Sequence, residues 1–227
     1  MCGASTPGLA STFQNPFPLI SPPQQLGNGR ALRVISVDSD ADVRNRGMAR
    51  TLARGSFVSQ LQSVDKTLPR EEPNEIRVLV LHHSILPRIT NLVSKPVPLA
   101  IDSKTQRVLE HFIVDHNISV VLSGHMHVPK LSLLTMSNGT ESKKILDARC
   151  GTTTQRDEFP YEVRKKIRSG RFLPPNTLMV HRILDRDGVT YWSTQIYWRS
   201  KQARFVKDLP HVSSFLAGDL AAEIALP

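Results

Sequence analysis

Apolar residues along this chain occur in two arrangements, short unbroken runs and one-sided patterns with a spacing of three or four. Unbroken runs of Val, Ile and Leu are typical of strands covered on both faces, and one-sided spacing is typical of amphipathic helices. Strands are predicted at 32–37, 76–81 and 118–122, and helices at 57–68 and 108–113. Because strands and helices alternate, the sequence predicts an α/β fold.

The pattern changes after the third predicted strand, where pairs of apolar stretches flank short polar turns. Residues 131–136 and 144–148 flank Asn138-Gly139, a dipeptide that favours the positive φ angles of a tight hairpin turn. A second pair within 178–198 flanks the polar segment 185–188. The sequence therefore predicts two β-hairpins.

The 227 residues predict one folded domain with an extension at each end. Residues 1–30 are rich in Pro, Gly, Ser, Gln and Asn and have no strand or helix period, so they are predicted to be an irregular lead-in. The domain is predicted to span 31–207, and 208–227 to form a tail.

Composition limits the classes of function. Hydrophobic residues make up 40% and charged residues 22%, as in ordinary globular domains. The formal charge of +9 would suit a nucleic-acid partner, but the basic residues are scattered, which favours a solvated basic exterior. Nucleic-acid binding is kept as a less favoured alternative. It would be indicated by an affinity for nucleic acid that falls steeply as the salt concentration rises.

Two cysteines, Cys2 and Cys150, are too few for a disulfide framework. The first twenty residues contain no basic segment followed by an apolar one, so no signal peptide is predicted. The longest apolar runs are far below the roughly 20 residues that a membrane helix needs. A cytoplasmic protein without a membrane partner is expected.

Candidate chemistry lies in histidines that directly follow two predicted strands. His82 and His83 follow the second strand, and His125 and His127 follow the third. Rigid strand ends present imidazoles well, and the spacing of two places His125 and His127 on one side of an extended segment. Strand alternation points His83 away from His82, so the role of His83 is left open.

Four other histidines are predicted to have structural, hydrogen-bonded roles and are excluded from the site. They are His111, His116, His181 and His211.

The sequences 79–83, Leu-Val-Leu-His-His, and 121–127, Val-Leu-Ser-Gly-His-Met-His, resemble the last two motifs of the calcineurin-like metallophosphoesterases. The resemblance implies a two-sheet β sandwich flanked by helices that hydrolyses phosphomonoesters or phosphodiesters. It implies two divalent metal ions, Mn, Fe or Zn, with His82 and His125 on one ion and His127 on the other. The implied partner is a phosphate-ester substrate.

The resemblance covers roughly 31–198, and the family's upstream motifs, Asp-x-His, Gly-Asp-x-x-Asp and Gly-Asn-His, do not occur in the chain. Those motifs supply the bridging carboxylate and the acid-donating histidine, so no catalytic residue is assigned. We expect a fold that is incomplete at its N-terminal side and a phosphoesterase activity that is impaired. The alternative is a non-catalytic remnant that binds a metal or a partner.

Overall fold

A computed structural model describes residues 17–39, 55–70, 72–85, 101, 103–124, 129–151, 176–200, 202, 204–207 and 221–227. Helices α1 and α2 cover Gly55–Thr67 and Ser103–Asp115. In chain order the strands of the first sheet are β1 Leu19–Ile20, β2 Gln24–Gln25, β3 Ala31–Ser36, β4 Glu75–Val80, β5 Ile118–Ser123, β6 Lys130–Ser137 and β7 Ser142–Arg149. Those of the second sheet are β8 Thr177–Arg186, β9 Val189–Arg199, β10 Phe205–Val206 and β11 Ala221–Ala225.

The first sheet has seven strands in the order β1-β3-β4-β5-β7-β6, with β2 also paired to β3. Strands β3, β4, β5 and β7 are parallel to one another, whereas β1, β2 and β6 are antiparallel to their neighbours. Helices α1 and α2 contact each other, and α2 packs on β5 and β6. The carboxyl ends of four parallel strands therefore meet at one edge of the sheet.

The second sheet is antiparallel and is built on the long hairpin of β8 and β9. Both β10 and β11 pair with β9. The hairpin turn has positive φ at Asp187 and Gly188, and the turn between β6 and β7 has positive φ at Gly139. Both turns lie where the sequence predicts them, because Gly and Asp tolerate this region of backbone space.

Strand pleating divides the buried residues into two cores. In β4, Leu79 faces the core that the helices cover, while Ile76 and Val78 face the core between the two sheets. Trp192 and Trp198 of the second sheet fill the inter-sheet core. The architecture is thus an α/β arrangement of two packed sheets with helices on one outer face, which is compatible with the predicted sandwich.

The described helices and long strands coincide with the predicted ones to within a few residues, but four short strands were not expected. Strands β1 and β2 lie in the lead-in that was predicted to be irregular, β10 follows the second predicted hairpin, and β11 lies in the predicted tail. Among the described residues, no helix is long and apolar enough to span a membrane.

Candidate functional site

Backbone hydrogen bonds continue beyond the ends of the parallel strands and hold the segments that leave them side by side. The N–H of Leu81 donates to Leu122 O at 3.0 Å, and the N–H of Gly124 donates to His82 O at 3.1 Å. The N–H of Cys150 donates to Ser123 O at 2.7 Å. The exits of β4, β5 and β7 are therefore neighbours along one edge.

The two adjacent histidines at the end of β4 occupy opposite environments. His82 is exposed, whereas His83 is 0% exposed. Their rings are nearly perpendicular, with centroids 5.5 Å apart. This alternation separates one imidazole that faces outward at the sheet edge from one that is part of the interior.

Ser39, which follows β3, fixes both histidines. Its buried Oγ accepts hydrogen bonds from the backbone N–H of His82 at 3.2 Å and of His83 at 2.9 Å. The same Oγ lies 2.9 Å from Nδ1 of His83. Because Oγ accepts two backbone bonds, we assign its own proton to the bond with Nδ1 of His83. The Nδ1 of His83 is therefore engaged in a hydrogen bond within the fold.

The segment that contains Ser39 is itself fastened to helix α1. Gln60 Nε2 donates to Asp38 O at 3.0 Å, and the N–H of Asp38 donates to Gln60 Oε1 at 2.8 Å. This amide pairing satisfies both backbone groups of Asp38 beyond the end of β3. Helix α1 thereby positions Ser39, and Ser39 positions His82.

Of the three predicted metal ligands, the structure describes His82. His125 and His127 lie outside the described residues, where Gly124 is the last residue of its segment. Among the residues that are described, no three His, Cys, Asp or Glu side chains are grouped to hold a metal ion. An exposed imidazole on a backbone fixed by Ser39 and Gly124 fits a metal ligand. Of the described histidines at this edge, only His82 has that setting.

Two polar side chains near this edge are buried without a hydrogen-bond partner among the described residues. They are Ser123, whose Oγ is unpaired, and Asp147, both of whose carboxylate oxygens are unpaired. Asp147 is 1% exposed, and burial raises its pKa to about 6 although Arg149 and Lys130 act to lower it. Sequence reasoning missed both residues. The available signal for Asp147 was an acid between the apolar residues Leu146 and Ala148 of a predicted strand.

Two of the excluded histidines are hydrogen-bonded within the fold, as expected. Buried His116 lies 3.0 Å from Asp65 through Nε2, and burial lowers its pKa more than Asp65 raises it. His181 Nδ1 lies 2.9 Å from Thr194 Oγ1, and burial lowers the pKa of His181. His111 is exposed on α2, and His211 lies outside the described residues.

Comparison with known proteins gives distant structural similarity only. One solved structure, a Staphylococcus aureus protein provisionally assigned as a 5'-nucleotidase, is 11% identical over 83% of this chain and 28% of its own, with a TM-score of 0.32. Another, GAP50, the anchor in the inner membrane complex of Plasmodium, is 12% identical over 85% of this chain and 55% of its own, with a TM-score of 0.37. No protein-family model and no curated protein matches the chain.

The chain thus spans 28% and 55% of these two structures. Similarity at these TM-scores assigns neither a family nor an activity.

Proposed function

We propose that this chain belongs to a metal-dependent hydrolase of phosphate esters, with His82, His125 and His127 as ligands of divalent metal ions. The proposal rests on the histidine-bearing strand ends that the sequence predicts. When bound, such ions supply Lewis-acid polarisation of a phosphoryl group.

The observation that carries the proposal is the hydrogen bond from Gly124 N–H to His82 O. It makes the backbone that leads into His125 and His127 an immediate neighbour of His82. A metal site built from two strand ends requires such a junction, because ligands from separate segments must converge within a few ångströms. The exposure of His82 and the fixed conformation that Ser39 gives to its backbone support the same role.

The test is hydrolysis of bis-p-nitrophenyl phosphate with added Mn²⁺ or Zn²⁺, using this chain and a version extended upstream in its gene. We expect metal-dependent turnover in the extended version. His82→Ala should lower that rate at least about 100-fold, because a ligand is lost.

His111→Ala is the matched control, since His111 is an exposed histidine on α2 away from the strand ends. It should leave the rate unchanged. Turnover that needs no metal, an unaffected His82→Ala variant, or no hydrolysis by either version would contradict the proposed function. Equal rates in the two versions would contradict the expectation that this chain holds an incomplete site.

A further inference from the structure

The antiparallel pairing of the second sheet brings together aromatic and basic residues that are scattered in the sequence. Tyr191, Tyr197 and Arg199 lie on β9. Arg182 of β8 is in register with a residue between the two tyrosines, and Phe205 of β10 is in register with Arg199. We name these five residues the aromatic–basic face.

The aromatic–basic face points away from the core of the sandwich. Trp192 and Trp198 of β9 and Ile183 of β8 pack in the core between the two sheets. Because side chains alternate along a strand, the neighbouring members of the aromatic–basic face on β8 and β9 point outward. Phe205 points the same way, because directly paired residues lie on the same face of a sheet. The described helices cover the other outer side of the sandwich, on the first sheet.

Each member of this face keeps part of its surface in contact with solvent. Arg182 is exposed, Phe205 is 37% exposed, and Tyr191, Tyr197 and Arg199 are half-buried. A partly buried ring on a strand is held in position by its neighbours, so it loses little conformational freedom when a flat ligand stacks on it. The rings are therefore suited to stacking.

The charges on this face favour an anionic partner. Among the described residues, neither Arg182 nor Arg199 forms an ion pair. Glu223 of β11 lies on the same side of the sheet, but it is paired with Arg186 of β8. The guanidinium carbon of Arg186 also lies 4.8 Å from the centroid of the Tyr191 ring, a cation–π contact. Arg182 and Arg199 therefore remain to contact an anion.

Rings that stack on bases and guanidinium groups that contact phosphates are the two components of single-stranded nucleic-acid binding. Tyr191 and Tyr197 lie about 20 Å apart along β9, at about 3.4 Å per residue. This length is comparable with the shortest sites of single-strand binding folds, about four nucleotides. The bases of a duplex are stacked on one another and cannot reach these rings, so a duplex would contact only the arginines.

We propose that the aromatic–basic face binds a single strand of nucleic acid. Bases stack on Tyr191, Tyr197 and Phe205, and Arg182 and Arg199 contact the phosphates. The proposal goes beyond the proposed function and does not rest on it, because the face contains no residue of the proposed metal site.

Fluorescence anisotropy of labelled oligouridylate and oligothymidylate, about eight nucleotides long, tests the proposal in EDTA at roughly 50 mM salt. Both should bind, because they share bases that stack and phosphates. Tyr197→Leu should weaken binding about tenfold, because it removes a stacking ring but keeps an apolar side chain. Tyr197→Phe should retain the affinity of the parent. Tyr191→Leu provides a second ring variant, and urea unfolding shows that each variant is folded.

The arginines are tested by the salt dependence of binding. Arg182→Gln should weaken binding and reduce the slope of the logarithm of affinity against the logarithm of salt concentration by about 0.7, the value for one phosphate contact on a single strand. Arg107→Gln is the matched control, because it removes an exposed arginine from α2 on the other side of the sandwich. It should change neither the affinity nor the slope.

An abasic strand of the same length separates stacking from charge, because it keeps the phosphates and lacks the bases. The parent should bind it at least about tenfold more weakly, and Tyr197→Leu should not change that weaker binding. The proposal would be overturned if the parent binds neither oligonucleotide, or binds a duplex or the abasic strand as tightly as oligouridylate. Full affinity in the folded tyrosine-to-leucine variants, or equal weakening by Arg107→Gln and Arg182→Gln, would also overturn it.

Discussion

Asp147 places a carboxyl group in the interior of the first sheet, and burial raises its pKa from 3.8 to about 6. The folded chain therefore holds this proton more tightly than the unfolded chain does. Between about pH 6 and pH 3.8 the folded state binds more protons, so this residue's contribution to stability rises as the pH falls. Above about pH 6 the carboxylate is charged in the folded chain, and its burial destabilises the fold. The pKa shift from 3.8 to about 6 corresponds to about 3 kcal/mol of lost stability.

Asp147→Asn should remove this pH dependence. His116 and His181 have lowered pKa values, so below their ordinary pKa of 6.5 their contribution to stability falls as the pH falls. The quantity to compare is therefore the difference in free energy of unfolding between the parent and the variant. When urea unfolding is measured at pH 7.5 and at pH 4.5, this difference should change by about 2 kcal/mol. The parent should become more stable relative to the variant at the lower pH. Asp187→Asn, in an exposed turn, is the control. A difference that is constant with pH would contradict the prediction.

Individual residue roles were predicted only where local pattern determines them. Strand alternation correctly predicted that His82 and His83 point in different directions, because successive side chains along a strand point to opposite faces. Ser39 could not be predicted as the partner of His83, since the contact joins residues 44 positions apart. The metal roles of His82, His125 and His127 stay predictions.

At the scale of elements, Arg77 of β4 links the ends of both helices to the first sheet. Its Nη1 donates to Pro69 O at 2.8 Å and Arg70 O at 2.9 Å beyond α1, and to His116 O at 3.1 Å beyond α2. Its Nε donates to Glu75 at 2.7 Å. Burial raises the pKa of Glu75, but hydrogen bonds from Arg33 and Arg77 outweigh it and keep that pKa below its usual value.

Arg77→Met should therefore lower the free energy of unfolding by about 3 kcal/mol, because three carbonyl groups and one buried carboxylate lose a donor. Chemical denaturation measures this loss. Arg70→Met is the control: its side chain is 66% exposed, and its ion pairs at 3.8 and 3.6 Å are weak, so it should cost less than about 1 kcal/mol. Equal losses for the two variants would show that Arg77 does not connect the helix ends.

The helices and long strands were predicted because each buries a face whose period is visible in the sequence. Strands β1 and β2 were missed because their two residues each are too few to establish a period, and both are held by pairing with β3. Strand β11 was missed for a related reason: its Ala-rich sequence is a weak strand signal, and its five-residue register with β9 supplies the order. These strands form because they pair with longer strands, and the sequence period of a short segment does not reveal such pairing.

At the scale of the whole molecule, the two sheets form one unit because Trp192, Ile196 and Trp198 pack on the face of the first sheet that the helices leave uncovered. Alternation of strands and helices predicted an α/β fold with β3, β4 and β5 as strands, and the turn signals predicted both hairpins. Which faces pack together depends on residues far apart in the chain. The two-sheet sandwich flanked by helices was expected from the family resemblance alone, and the described sheets are compatible with it; periodicity could not predict which faces pack together.

Gly151 lies at a close contact between the two sheets, since it follows β7 and faces Thr177, the first residue of β8. A Cβ at position 151 would lie 2.1 Å from Thr177 Oγ1 and 3.2 Å from Pro129 Cδ. Because Thr177 is 0% exposed, it has little room to move. Gly151→Ala should force the sheets apart locally and lower the free energy of unfolding by about 1–3 kcal/mol.

Two further variants test whether this contact is the cause. Gly27→Ala should be nearly neutral, because a Cβ there meets nothing within 4 Å. Thr177→Ala combined with Gly151→Ala should recover part of the lost stability, since it removes the oxygen that the new methyl group would strike. Additive losses in the double variant would place the effect elsewhere, whereas partial recovery would identify the Gly151–Thr177 approach as a spacing constraint on sheet packing.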